Sequence, residues 1–132
     1  MRIVLIGLIF LFGLFDLFMA VSFLLDPVQA ATGFGIAADG ARGLSSVRAD
    51  FTSFFGVVAG CMMLGAWRRN GDLLLVPAAL MGIAAVVRLA SVAIDGTYPG
   101  WMMPISVEIA HVILLIAAWR VVPHHRISEL TS

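Results

Sequence analysis

Two ionisable residues interrupt an apolar stretch near the end of the chain. Residues 105–119 read ISVEIAHVILLIAAW, with Glu108 and His111 three positions apart. That spacing puts both side chains on one face of a helix. A carboxylate beside an imidazole can form a buried ion network, bind a ligand, exchange a proton or ligate a metal ion.

Other charged residues lie alone in apolar surroundings elsewhere in the chain. A single charge at the centre of a membrane helix costs about 2.5 to 3.5 kcal/mol on insertion scales, so such residues usually pair or line a water-filled cavity. The carboxylates and the basic groups nearly balance. We therefore predict a ligand-binding site or buried ion network in one shared polar pocket, formed by Asp16, Arg48, Asp50, Arg88, Glu108 and His111.

Three interpretations of this set compete. In the first, the residues form a fully paired buried ion network that fixes helix register. In the second, they form a binding or proton-exchange site in which His111 and a carboxylate titrate. In the third, they form a metal site. The E-x-x-H spacing is typical of di-iron bundles, but these need two such motifs and further glutamates. His124 and His125 lie in the tail, which also argues against a haem with two histidine ligands. We predict no metal and leave the first two interpretations open.

The composition excludes several cofactor classes. The chain has no lysine, so it cannot hold retinal or pyridoxal phosphate as a Schiff base. Its one cysteine, Cys61, rules out a disulfide framework within the chain and a C-x-x-C centre. No catalytic triad order, phosphate loop or nucleotide fingerprint is present. We predict no cofactor and no catalytic residue, and an enzyme is the least favoured class.

Hydropathy predicts the elements that carry these residues. The 132 residues are 61% hydrophobic and 12% charged, which is far more apolar than a typical soluble domain. Four segments approach the roughly 20 residues needed to cross a bilayer. The prediction is a single all-α domain over residues 1–132, an integral membrane four-helix bundle with helices at about 3–25, 51–67, 73–94 and 101–122.

Arginine placement predicts the orientation. Five arginines fall on one side of four crossings and two on the other, so the positive-inside rule puts both termini in the cytoplasm. The larger group is Arg2, Arg68, Arg69, Arg120 and Arg126; the smaller is Arg42 and Arg48. The first apolar run is longer than a signal-peptide core and contains Asp16, so we interpret it as a retained helix. A net charge of zero gives no basic face for nucleic acid.

In this orientation the ionisable residues fall in the outer half of the helices, which predicts a pocket open to the outer side. The long outer loop, residues 26–48, either folds back as a short helix or lid or is a mobile connector. Gly56 and Gly60 form a G-x-x-x-G face, which we expect to point inward for helix packing.

Several short motifs carry a family resemblance: Val47-Arg48-Ala49-Asp50-Phe51, Phe55-Gly56, Ala59-Gly60, Val87-Arg88-Leu89, Ile94-Asp95-Gly96 and Val107-Glu108. The chain resembles a family of small bacterial four-helix membrane proteins, domain of unknown function 4345. The family pattern has an R-A dipeptide at the start of the second helix, an arginine in the third helix and a glutamate in the fourth. In this chain these correspond to Arg48-Ala49, Arg88 and Glu108. Where members often have an aromatic-Gly-Gly step, this chain has Phe51-Thr52-Ser53. The resemblance implies an inner-membrane protein and no assigned activity.

Three functions are compatible with these residues. The first is a ligand-binding or accessory protein whose pocket holds an anionic or amphiphilic molecule, such as a lipid headgroup or quinone, against Arg88 and Arg48. The second is a proton-coupled exporter acting as a homodimer; the permanent charge of Arg88 and the lack of an aromatic lining count against it. The third is a non-catalytic subunit that packs against a larger membrane complex through Gly56 and Gly60.

Overall fold

The computed structural model describes residues 2–124, and this part of the chain contains helices and their connections but no strands. The tail residues His125 and Arg126, which entered the orientation argument, lie outside the described residues. The elements are α1 (Arg2–Leu25), α2 (Pro27–Thr32), α3 (Gly40–Arg68), a 3-10 turn (Asp72–Leu74), α4 (Leu75–Asp95) and α5 (Met102–Val121).

The four long helices form a closed bundle. Helix α1 packs along α3, α3 contacts α4, α4 packs on α5, and α5 returns to α1. The connections from α3 to α4 and from α4 to α5 are short, which makes these consecutive helices antiparallel neighbours, whereas α1 and α3 are joined through α2. At one end, the amide of Gly71 in the α3–α4 turn donates to the carbonyl of Pro123 after α5, at 2.9 Å. We call the opposite end, which carries α2, the α2 end of the bundle.

Each helix buries a narrow stripe of side chains. In α1 the stripe recurs at alternating spacings of four and three residues, as in a coiled-coil seam; it consists of Ile9, Gly13, Asp16, Ala20 and Phe23. The corresponding stripe of α5 is Ile105, Glu108, His111, Leu115 and Ala118. Ionisable residues therefore occupy core positions of both helices.

The close approach of α1 to α3 depends on a different glycine from the predicted pair. A Cβ on Gly13 would lie 2.9 Å from Met63 Cγ and 3.1 Å from Met62 Cβ. A Cβ on Gly56 or Gly60 would meet no atom within 4 Å. The expectation that these two glycines point inward is therefore corrected. A G-x-x-x-G spacing defines a face of a helix but not the neighbour that this face meets.

The predicted loop over residues 26–48 is largely helical. The Asp26 carboxylate accepts from the Gln29 amide at 3.1 Å and Pro27 occupies the first turn, which together start α2. Helix α3 then begins at Gly40, well before the predicted 51. Hydropathy missed its first turns because residues 40–50 read GARGLSSVRAD, which is polar but compatible with a helix.

The segment after α2 folds over the ends of α1 and α3. The ring of Phe34 lies 5.4 Å from that of Phe23, 5.8 Å from that of Phe51 and 6.2 Å from that of Phe55, centroid to centroid. Phe23 in turn stacks on Phe51 at 4.5 Å. These aromatic contacts favour the folded-back helix over a loose connector, and they close the α2 end between α1 and α3.

The exterior of the bundle is apolar. All four long helices have the length and composition needed to cross a membrane, yet at most 28% of the residues in each apolar window are buried inside the chain. Large side chains such as Ile3, Phe18, Ile83 and Ile113 are more than 60% exposed. A soluble monomer rarely exposes apolar patches of this extent.

Candidate functional site

Asp16 on α1 pairs with His111 on α5 in the centre of the bundle. Asp16 Oδ2 lies 3.1 Å from His111 Nε2, and the two side chains are 0% and 1% exposed. The other ring nitrogen, Nδ1, is 2.8 Å from the carbonyl of Val107. The ring of Phe12 packs edge-on to the imidazole at 4.8 Å. The imidazole is thus held on three sides.

The geometry fixes how many protons this pair holds. A carbonyl can only accept, so His111 Nδ1 donates to Val107. If Nε2 and Asp16 Oδ2 both lacked a proton, two lone pairs would face each other at 3.1 Å. One proton therefore lies between them, giving either an imidazolium with a carboxylate or an imidazole with a carboxylic acid. The net charge of the pair is zero in both forms.

Arg88 on α4 pairs with Glu108 on α5. Arg88 Nε and Nη2 lie 3.0 Å and 2.9 Å from the same oxygen, Glu108 Oε1. The side chains are 31% and 9% exposed, respectively. Convergence of both nitrogens on one oxygen differs from the two-oxygen fork common for arginine and carboxylate. It leaves Glu108 Oε2 out of the contact.

Helix α5 joins the two pairs. Glu108 and His111 are both in its buried stripe, so α5 holds one partner of each pair and connects α1 with α4. At a rise of 1.5 Å per residue, Asp16 and His111 each lie about 13 Å from the α2 end of their helices, and Arg88 and Glu108 about 10 Å. The four side chains therefore occupy two adjacent levels.

Both carboxylates keep an unused acceptor. Within residues 2–124, Asp16 Oδ1 and Glu108 Oε2 are buried and have no hydrogen-bond partner. Trp119 Nε1, near the other end of the bundle, is also buried without a partner. Buried polar atoms normally have partners, so such exceptions mark places where a proton or a polar ligand can be accommodated. Two of the three belong to the paired cluster.

A groove beside Arg88 runs along α4 towards the α2 end. It has a volume of about 390 Å³. Its polar side chains are Arg88, Ser91, Asp95 and Tyr98, and its apolar ones include Ala84, Val87 and Val92. Hydropathy and helical spacing gave no signal for Tyr98, because it lies in the connection beyond α4.

Arg48 and Asp50 do not join the cluster, so the prediction of one pocket shared by all six residues is corrected. Both side chains are exposed near the start of α3. Arg48 Nε donates to the carbonyl of Leu24 at 3.1 Å, beside a separate groove of about 310 Å³. The two arginines contact different helices: Arg48 on α3 lies against the end of α1, whereas Arg88 on α4 lies against α5.

Neither a set of metal ligands nor a similarity to known proteins adds to the description of this site. Within the described residues, no three histidine, cysteine, aspartate or glutamate side chains come together as a set of metal ligands. No protein-family model, curated protein or solved structure matches the chain. The resemblance drawn from the sequence motifs stays a prediction, and the chemistry of the two ion pairs carries the functional argument.

The Asp16–His111 pair predicts strong coupling between its members. Replacing one partner, as in Asp16→Leu or His111→Leu, leaves the other buried without its partner. Each replacement is expected to lower the free energy of unfolding by about 3 to 5 kcal/mol. The double variant should lose much less free energy of unfolding than the two single variants together, because it leaves no buried group without a partner. Unfolding by denaturing detergent, followed by circular dichroism, measures all four proteins. Additive losses would contradict the pairing, and Asp50→Leu on the surface serves as control.

Proposed function

We propose that the chain is a multi-pass protein of the bacterial inner membrane with both termini in the cytoplasm. Exposed apolar side chains on all four long helices support insertion. Helix α3 is 29 residues long, about 43 Å, so its first turns extend beyond a hydrocarbon core of about 30 Å. With Arg68 at the cytoplasmic boundary, Arg48 lies at the outer one, about 30 Å away.

Labelling of introduced cysteines tests the orientation. In a Cys61→Ala background, Thr97→Cys in the α4–α5 connection is expected to react with a membrane-impermeant maleimide added to intact cells. Asn70→Cys in the α3–α4 turn should react only after permeabilisation, because this turn lies on the cytoplasmic side. The reverse pattern would contradict the orientation, and equal labelling of both sites in sealed cells would contradict four crossings.

We further propose that the protein binds a small amphiphile in the groove beside Arg88. The observation that carries this proposal is the position of Arg88: it pairs with the buried Glu108, yet its side chain is 31% exposed and lines the groove. Its guanidinium can bind a polar or anionic head, and Ala84 and Val87 offer apolar contact to a chain. A lipid or a quinone-like molecule has this chemistry.

The contacts favour binding over export. An exporter of cations that uses Asp16 needs this carboxylate to be reachable, but Asp16 is 0% exposed and paired with His111. Among the described residues, no atom lies within 4 Å of a Cβ built on Gly56 or on Gly60. The face with these two glycines is the surface through which a second copy or a larger membrane complex would pack, so an accessory role in an assembly is compatible with ligand binding.

Native mass spectrometry of the gently extracted protein tests the binding proposal. Wild type is expected to carry a defined small-molecule mass that the Arg88→Gln/Glu108→Gln variant loses. The double variant replaces the charged pair by two neutral amides, which avoids leaving Glu108 charged and unpaired. Glutamine has the shape of glutamate and is shorter than arginine. The matched control is Arg48→Gln, whose groove is separate, and it should keep the mass. Retention of the mass by the double variant, or its absence from wild type, would contradict the proposal; a dimer or partner mass would identify the assembly.

A further inference from the structure

The charges around the groove specify what kind of head it takes. We infer that the ligand of the Arg88 groove is an anionic amphiphile and that one proton binds with it, taken up by Glu108. This inference rests on the proposed binding function. It adds two points to that function: the ligand is negatively charged, and a proton binds to Glu108 together with it.

The first step is the charge count without a ligand. The Asp16–His111 pair shares one proton and is neutral, and Arg88 and Glu108 neutralise each other. Within the described residues no ion pair connects α3 to this cluster. The cluster is therefore neutral as it stands. An anionic head beside Arg88 would leave one uncompensated negative charge among apolar helices, which is unfavourable in a medium of low dielectric constant.

The second step concerns the sign of the head. Arg88 carries a permanent positive charge, so it repels cations and attracts anions. Two of its five N–H groups contact Glu108 Oε1, and the partly exposed guanidinium has others to offer to the groove. The ionisable residues of the groove besides Arg88 are Asp95 and Tyr98 towards the α2 end. Among the described residues, Arg88 is the only cationic group that lines this groove.

The third step identifies the proton acceptor. Glu108 Oε2 has no partner among the described residues, so a proton can bond to it without breaking a hydrogen bond. The proton comes from water at the α2 end, forms an O–H bond with Oε2 and removes the charge of Glu108. Arg88 keeps a neutral contact with Oε1, and its charge is then balanced by the anion.

The other titratable groups of the cluster are less suited. Asp16 also has an unused oxygen, but Asp16 and His111 already hold their shared proton and are 0% and 1% exposed. Glu108 is 9% exposed and adjoins Arg88, which opens to the groove. Water-borne protons therefore reach Glu108 first.

Calorimetry with a permanently anionic probe tests this coupling. Octyl sulfate does not titrate near neutral pH, so any proton uptake belongs to the protein. Binding to the protein in phosphatidylcholine nanodiscs is measured at one pH in buffers of different ionisation enthalpy. Wild type is expected to take up about one proton per ligand, and its affinity should fall about tenfold per pH unit while free Glu108 is ionised.

Three variants separate the outcomes. Glu108→Gln, which resembles the protonated form, should bind without proton uptake and more tightly than wild type at pH 8. Arg48→Gln should behave as wild type. Uptake that persists in Glu108→Gln and disappears in Asp16→Asn would overturn the assignment to Glu108. Binding by wild type without proton uptake would overturn the inference and leave the binding function standing, whereas no binding by wild type would overturn both.

Discussion

The bundle depends on the pairing of ionisable groups along one face of α5. Glu108 and His111 occupy core positions of that helix, and each must meet a partner of opposite charge or share a proton. Because an unpaired charge inside an apolar bundle is strongly unfavourable, this requirement restricts which faces of α1 and of α4 can turn inward. Apolar side chains alone would leave the rotation of these hydrophobic helices about their own axes poorly specified.

The sequence predicted an inward orientation for the ionisable residues of the helices, and Asp16, Glu108 and His111 are buried. Arg88 is half-buried, whereas Arg48 and Asp50 on α3 are exposed. Hydropathy located four helices, and the spacing of Glu108 and His111 placed them on one face. It could not predict which acid pairs with which base, since three carboxylates and three basic groups allow several pairings. The choice depends on helix rotation, which follows from the packing of all four helices at once, including the close contact at Gly13.

Two other features were beyond the sequence for different reasons. The start of α3 was missed because a hydropathy window detects the apolar part of a helix and not its polar extension into the α2 end. The separation of Arg48 from Arg88 follows from their tertiary neighbours: Arg48 on α3 contacts Leu24 of α1, whereas Arg88 on α4 contacts Glu108 of α5. Neither effect leaves a periodic signal in the chain.

The two pairs differ in what they can do. Asp16 and His111 are enclosed and neutral together, which suits a structural role at the α1–α5 contact. Arg88 and Glu108 lie one level nearer the α2 end, beside a groove, with an unused oxygen on the glutamate. The enclosed pair and the pair beside the groove therefore occupy neighbouring levels of one face of α5, so the ligand binding that we propose would be connected through this helix to the α1–α5 contact.

The most direct test of this account is the environment of the His111 ring in a lipid bilayer. With His124→Gln and His125→Gln, His111 is the only histidine, and nitrogen magnetic resonance in nanodiscs reports both of its ring nitrogens. The account predicts two hydrogen-bonded nitrogens, and Asp16→Asn should shift the Nε2 resonance while Nδ1 keeps its bond to Val107. Resonances of a water-exposed ring that do not respond to Asp16→Asn would contradict the buried pairing on which the fold and the site depend.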